Sequence, residues 1–379
     1  QLQVIANNLK KKILAELAKM MREDRAAYET FFNNFGLDLK YGVLQNYGVN
    51  KDELQDLLLF YSSTEKKATS LSEYTARMRE EQKYIYFASG DNIEAIDALP
   101  QTELVKDNHM EILYFTHQAD EFVTEALHTY GGKEFKTQED VVNYYKECYD
   151  YTKTLTAEYK TDSGETHSYY KMLGTETLEV KNLLVEGKSN DIINKLVPGI
   201  VGNLFKGGTN GLSPSGNRDP KGDTKNDGKM DCTTSHLTAD DVLAANVKDN
   251  GDGTITMVIQ PKEALLSTPG EDSQGRFFNS LGDISSVVES ISVLSFSQGT
   301  IKDNFVVDYK GGTGTFVIDT KTNEIIKADY IMLVHIDVKH ANVAVLKDKS
   351  ASLDVKYQCE YPASDDYLAN PPIGLTRVK

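Results

Sequence analysis

Apolar residues recur every three or four positions over residues 2–21, at Leu2, Ile5, Leu9, Ile13, Leu17 and Met20, and this spacing predicts an amphipathic helix. A second helix is predicted over 24–35, with Tyr28, Phe31, Phe32 and Phe35 as aromatic bulk and Gly36 as its stop. A third, short helix is predicted over 51–61 through Leu54, Leu57, Leu58 and Tyr61. The pattern then changes. Ser70 followed by Glu73 forms a capping box that opens a helix over about 71–82. The run Tyr84–Ala88 reads as a buried strand, followed by a helix over 91–97, a helix around Pro100–Asp107, the strand Glu111–Phe115 and a helix over 119–129. Strands alternating with helices predict a small, mostly parallel sheet, which Gly131-Gly132 ends.

Thr137 and Asp140 cap a helix over 139–159 whose inner face carries Val141, Val142, Tyr145, Cys148, Tyr149 and Thr152. A more apolar helix over 190–205 is interrupted at Pro198. Residues 206–231 are rich in Gly, Pro, Asn and Asp without periodicity and read as a loop or disordered insert. Beyond 253 the period becomes two. Thr254–Ile259 is a strand, Asn304–Asp308 and Thr315–Ile318 flank Gly311-Gly312 as a hairpin, and 326–338 and 353–361 alternate as half-buried antiparallel strands. The expected fold class is α+β: a helical segment (1–66) and a small α/β unit (67–136), then a helix-plus-antiparallel-sheet domain (137–379).

The net charge of −16 argues against a phosphate-binding surface, so no nucleic-acid partner is expected. No stretch approaches the ~18 apolar residues needed to span a bilayer. Residues 1–21 carry Lys10, Lys11, Lys12, Glu16 and Lys19 within their helical pattern, unlike a signal peptide. Cys148, Cys232 and Cys359 form no CxxC pair, which disfavours zinc; idle thiols fit a cytosolic chain, and one disulfide plus a free thiol fits an exported one.

The string Ser70-Leu71-x-x-Tyr74-x-x-Arg77-Met78-x-x-x-Gln82-x-x-Ile85-Tyr86 resembles the middle-domain signature of the bacterial Hsp90-type chaperones (HtpG). Phe31-Phe32-x-x-Phe35-Gly36, Lys40-x-Gly42 and Gly132-Lys133 match as well, so the resemblance covers residues 1–136 and the C-terminal part of that domain. It implies a cytoplasmic segment that contacts unfolded or partly folded client proteins. A family Glu-Trp pair and an Asn three residues later, part of a client-binding surface, fall on Glu121, Phe122 and Glu125; Phe keeps an aromatic anchor, and Glu125 adds a charge. An exposed aromatic beside carboxylates suits unfolded segments. The plainer alternative has Phe122 facing the sheet as core.

The family's nucleotide-binding domain, its catalytic arginine loop and its dimerisation domain have no counterpart in these 379 residues. The resemblance therefore implies a non-enzymatic fragment with no cofactor, and the oligomeric state stays open. Residues 137–379 resemble, through Leu237-Thr238-Ala239-Asp240-Asp241-Val242 and Val317-Ile318-Asp319-x-Lys321-Thr322-x-x-Ile325, β-rich domains of exported proteins of Gram-positive gut bacteria. Natural fusion, engineering and a joining of two separate sequences all account for such a junction. The alternative function is an exported, secreted or cell-surface, ligand- or lipid-binding module, because a sheet closed on one side by an apolar helix leaves a concave pocket.

Other constellations are weaker. Asp223, Asp227 and Asp231 suggest a calcium loop, but Lys225 and Thr234 occupy ligand positions, so a polar loop is the better reading and no metal is expected. Asp249–Gly253 reads as a tight turn. A Cys–His nucleophile would need His335 near Cys359, which is placed two strands away at best. Gly311-Gly312-x-Gly314 lacks the strand-to-helix setting of a phosphate loop. A membrane-surface role for 190–205 lacks the expected row of Lys and Arg.

Overall fold

The computed structural model describes residues 2–97, 110–205, 210–215, 234–282, 284–289, 291–343, 345–370 and 374–378. The chain divides into two compact units, Gln1–Val141 and Val142–Lys379, and the fold class is α+β.

The first unit opens with helices Leu2–Glu23 and Arg25–Leu44 and a short helix Lys51–Leu54. Its strands are β1 (Leu59–Ser62), β2 (Ala68–Ser70), β3 (Ile85–Ser89), β4 (Ile112–Phe115), β5 (Thr129–Tyr130) and β6 (Lys133–Lys136). The sheet order is β2-β1-β4-β3-β6-β5. Helices Leu71–Arg77, Ile93–Asp97 and Gln118–Leu127 connect the strands. Tyr28, Leu58, Leu71, Ile85, Leu113 and Val123 are wholly buried in its core. Phe115 stacks on Phe87 with ring centroids 4.6 Å apart.

Several expectations change here. The second helix runs through Gly36 instead of stopping there. A Cβ at Gly36 would lie 2.6 Å from the Phe32 ring, so the glycine makes room for that ring one turn earlier. The expected 51–61 helix ends at Leu54 and passes through a 3-10 turn, Gln55–Leu57, into β1, because Leu58, Leu59 and Phe60 are buried in succession as a two-faced strand requires. The 71–82 helix stops at Arg77. Only β3–β4 and β3–β6 pair in parallel; the other three pairings are antiparallel, so the sheet is mixed. Gly131-Gly132, both at positive φ, form the β5–β6 turn inside the sheet rather than ending the unit. The first helix exists, but Ile5, Leu9 and Ile13 are exposed, and among the described side chains of its stripe only Leu17 is buried. The helix expected around Pro100–Asp107 lies outside the described residues.

Helix Gln138–Thr154, most of which belongs to the second unit, is capped as expected: Asp140 N–H donates to Thr137 Oγ1 at 3.1 Å and Thr137 N–H to Asp140 Oδ2 at 2.8 Å. All six predicted inner-face residues are buried. The helix ends five residues early, at Thr154, because β7 (Thr156–Thr161) follows. Next come β8 (Thr166–Tyr170), β9 (Thr175–Val185) and helix Asp191–Leu204, with Pro198 inside it. The remaining strands are β10 (Val242–Asp249), β11 (Thr254–Pro261), β12 (Ala264–Leu265), β13 (Leu294–Phe296), β14 (Phe305–Asp319), β15 (Ile325–Val343), β16 (Leu346–Tyr361) and β17 (Leu375–Arg377). The main sheet is antiparallel in the order β10-β11-β14-β15-β16-β9, with β12 beside β14 and β13 beside β15; β17-β7-β8 form a small separate sheet.

The expected hairpin at Gly311-Gly312 is instead the middle of the single strand β14. The register against β15 shifts between Tyr309 and Gly312, and a Cβ at Gly312 would lie 2.0 Å from the Ile331 carbonyl oxygen, so glycine is needed for two backbones to touch. Part of the expected loose insert is also packed. Leu212 and Ser213 are buried, and Lys153 Nζ donates to the carbonyls of Leu212 and Pro214 at 2.7 and 3.1 Å. Residues 206–209 and 216–233, with Asp223, Asp227, Asp231 and Cys232, lie outside the described residues.

Candidate client-binding surface

The residues that carry the sequence resemblance turn out to build an internal brace. Ser70 caps helix Leu71–Arg77, accepting from Glu73 N–H at 3.2 Å, while Glu73 Oε2 accepts from Ser70 N–H at 2.8 Å. Tyr74 is wholly buried. Its hydroxyl donates to the Glu111 carbonyl at 2.8 Å and accepts from Gln82 Nε2 and Tyr86 N–H, each at 3.1 Å. Burial holds the Tyr74 phenol far above its ordinary pKa, so it stays protonated and donates. Arg77 grips the Glu111 carboxylate with two nitrogens, at 2.9 and 2.6 Å, and Ser62 Oγ donates to the same carboxylate at 2.6 Å. These contacts join the 71–77 helix to β1, β3 and the start of β4. Sequence reasoning did not single out Glu111, since nothing local marks it.

Helix Gln118–Leu127 sits on this frame. Ala119, Val123 and Leu127 recur at four-residue steps and are buried, as are Asp120 and Thr124. Asp120 Oδ1 meets Lys40 Nζ at 2.5 Å, with side-chain exposures of 2% and 7%. Lys40 Nζ also lies over the Phe32 and Phe60 rings, 5.5 and 5.2 Å from their centroids. At the other end, Lys51 Nζ donates to the Ala126 carbonyl at 3.2 Å.

The anchored face leaves Glu121, Phe122 and Glu125 on the outside. Phe122 is 47% exposed, so the reading of this ring as core against the sheet fails. Glu121 and Glu125 border a groove of about 580 Å³ floored by Phe87 and Phe135. Glu134 and Asp140 add two more carboxylates to its rim, against Lys136 and His128. Lys136 already pairs with Glu134 at 3.6 Å. The chemistry is an apolar floor, an acidic border and an aromatic side chain standing beside it.

Elsewhere, the structure separates the residues that nucleophilic catalysis would join. His335 and Cys359 lie on adjacent strands, β15 and β16, not two apart, yet on opposite faces. Cys359 registers with Tyr330 on the buried face, whereas His335 Nδ1 contacts Asp354 Oδ1 at 2.6 Å on the outer face. Cys148 and Cys359 are buried thiols in no disulfide, and burial pushes each up to about 12, away from nucleophilic thiolate. Asp249–Gly253 is the β10–β11 turn, closed by Gly251 N–H on Asp249 Oδ1 at 2.9 Å. No group of metal-binding side chains occurs among the described residues, and no described helix is long and apolar enough to cross a membrane.

Comparison with known proteins agrees with the signature. The sequence model of the Hsp90 protein family matches residues 1–183. The chaperone protein HtpG of Bacillus subtilis is 56% identical over 137 residues, which is 36% of this chain and 22% of that protein. HtpG of Clostridium acetobutylicum matches with the same identity and coverage. This chain thus spans about a fifth of the length of the curated relatives it matches. Among solved structures, the middle domain of a Plasmodium falciparum heat shock protein is 29% identical, covering 36% of this chain and 57% of that one, with a TM-score of 0.34. The N-terminal part of the chain resembles the HtpG chaperones and is chaperone-related in sequence.

Proposed function

We propose that residues 1–136 form a protein-binding module that holds unfolded or partly folded clients in the cytoplasm through Phe122, Glu121 and Glu125. The observation that carries this reading is the half-exposed Phe122, projected from a helix whose opposite face is locked by the Lys40–Asp120 pair. An aromatic on a rigid element loses little entropy on binding, and neighbouring carboxylates favour segments in which apolar and basic residues alternate. The replacement of the family Asn by Glu125 sharpens that preference toward basic clients. Capture of this kind needs no nucleotide and no chemical step, so the module acts as a holding surface and not as an enzyme.

The two units, on this reading, are separable modules joined near residue 136, each with its own core. The test is the suppression of aggregation of chemically unfolded citrate synthase by the full chain without ATP. Suppression that Phe122→Ala abolishes supports the proposal; equal suppression by the variant refutes it.

A further inference from the structure

One face of the main sheet of the second unit is buried over most of β15 and the C-terminal half of β16, and two kinds of side chain do the covering. Alternate residues of β15 from Ala328 to Val338 are buried, and so are Leu353, Val355, Tyr357, Cys359 and Tyr361 of β16, while the residues between them face outward. At the Tyr330 end the face is packed by aromatics. Tyr330 meets Phe316 at 5.1 Å and Phe277 at 5.6 Å between ring centroids, and the Tyr145 ring of helix Gln138–Thr154 lies 4.8 Å from that of Phe316. At the other end the side chains are aliphatic and the face is roofed by helix Asp191–Leu204.

There the packing leaves a cavity of about 80 Å³. Its floor includes Ile336, Val338 and Leu353, and its roof Val197, Ile200 and Val201. A site of ~10–15 Å³ by this kind of measure admits a water, but water needs polar partners, and this lining offers hydrocarbon throughout apart from one residue. That residue is Lys349, paired in register with Ala341 near the strand ends and half-buried; only its hydrocarbon stem lines the cavity, in which no polar atom is exposed.

We propose that this cavity binds the tail of a single-chain aliphatic amphiphile with an anionic head group, the chain lying between β15–β16 and the 191–204 helix and the head group meeting Lys349. The chemistry selects this class. A hydrocarbon lining, aliphatic but for the Phe305 ring and the Lys349 stem, rewards each methylene it buries and leaves any buried polar atom unpaired. Because the wall itself carries no polar atom, a head group has to stay outside the cavity, and the Lys349 ammonium is the cation that belongs to a lining residue. The roof suits a cover that shifts to admit a longer chain: Gly199 and Gly202 of the helix touch nothing within 4 Å of where a Cβ would stand, and Ile192 and Leu196 remain exposed beside it. This site is independent of the client-binding reading of the first unit.

The test is a titration of the full chain with cis-parinaric acid, followed by displacement with hexadecanoate, hexadecyl phosphate and hexadecanol, all below their micellar concentrations. The expected result is one saturable site per chain. Ala351→Phe, which adds a ring inside the cavity, weakens it by about tenfold or more. Lys349→Met weakens the two anions by about fivefold and leaves hexadecanol unchanged, and the ratio of the two anions tells a carboxylate from a phosphate head group. If Ala351→Phe does not fold, Val197→Phe on the helix fills the same space. Absence of saturable binding, or binding that a folded filling variant leaves intact, overturns the proposal.

Discussion

Lys40 and Asp120, eighty residues apart, form an ion pair 2.5 Å long with almost no exposure to water. It fastens helix Arg25–Leu44 to helix Gln118–Leu127 and so fixes which face of the latter reaches solvent. Removing one partner strands a buried charge. Lys40→Met or Asp120→Leu alone should destabilise the first unit by about 3–5 kcal/mol, and the double variant by clearly less than the sum. Urea unfolding of the single and double variants measures this.

Tyr74→Phe removes one oxygen and takes one hydrogen bond from each of three polar groups, the Glu111 carbonyl, the Gln82 amide and the Tyr86 N–H. The expected cost is about 1–3 kcal/mol, read as a lowered urea midpoint of the first unit. Arg77→Lys should also destabilise, because an ammonium cannot reproduce the two-nitrogen grip on Glu111.

Gly312→Ala brings a methyl onto the Ile331 carbonyl and also sits at a φ of +134°. Strand β14 must then shift its register or open. The expected outcome is a loss of more than about 3 kcal/mol in the second unit, with the first unit's transition unchanged.

His335 faces Asp354 and Asp337 on the outer face of the sheet. The hydrogen bond to Asp354 raises the imidazole above its ordinary 6.5, and hydrogen bonds from Asn182 and His335 lower Asp354 below 3.8. The histidine's contribution is fully present below pH 6.5 and fades as pH rises through its raised folded value. The aspartate's contribution is present above about pH 3.8 and fades as pH falls through its lowered value. Both groups are solvent-exposed enough that screening keeps the effect small. An NMR titration of the imidazole should give a midpoint above 6.5, returning toward it in Asp354→Asn.

What the sequence made legible was local. The Ser70–Glu73 and Thr137–Asp140 caps open the helices they predicted, since each is a hydrogen-bond pattern within four consecutive residues. The alternation in β15 and β16 marks a sheet with one wet face. Strands β7 and β9 escaped notice because their residues are mostly polar and half-exposed, and β14 because its glycines imitate a turn. β1 was hidden in a leucine run that also fits a helix. At the candidate surface, the resemblance pointed to Glu121, Phe122 and Glu125, but the sequence left Phe122 open between an exposed anchor and a core ring. The Lys40–Asp120 bond and the groove floor of Phe87 and Phe135 arise from chain segments distant in sequence, and no local pattern encodes them.

On the proposed reading, Phe122 anchors unfolded polypeptide. The most direct measurement is fluorescence anisotropy of a labelled, permanently unfolded basic-apolar polypeptide titrated with the full chain and with Phe122→Ala, at low salt and without nucleotide. The expected result is saturable binding that weakens by about tenfold or more in the variant, with an unchanged melting temperature. Equal affinity of the two proteins, both folded, would contradict it.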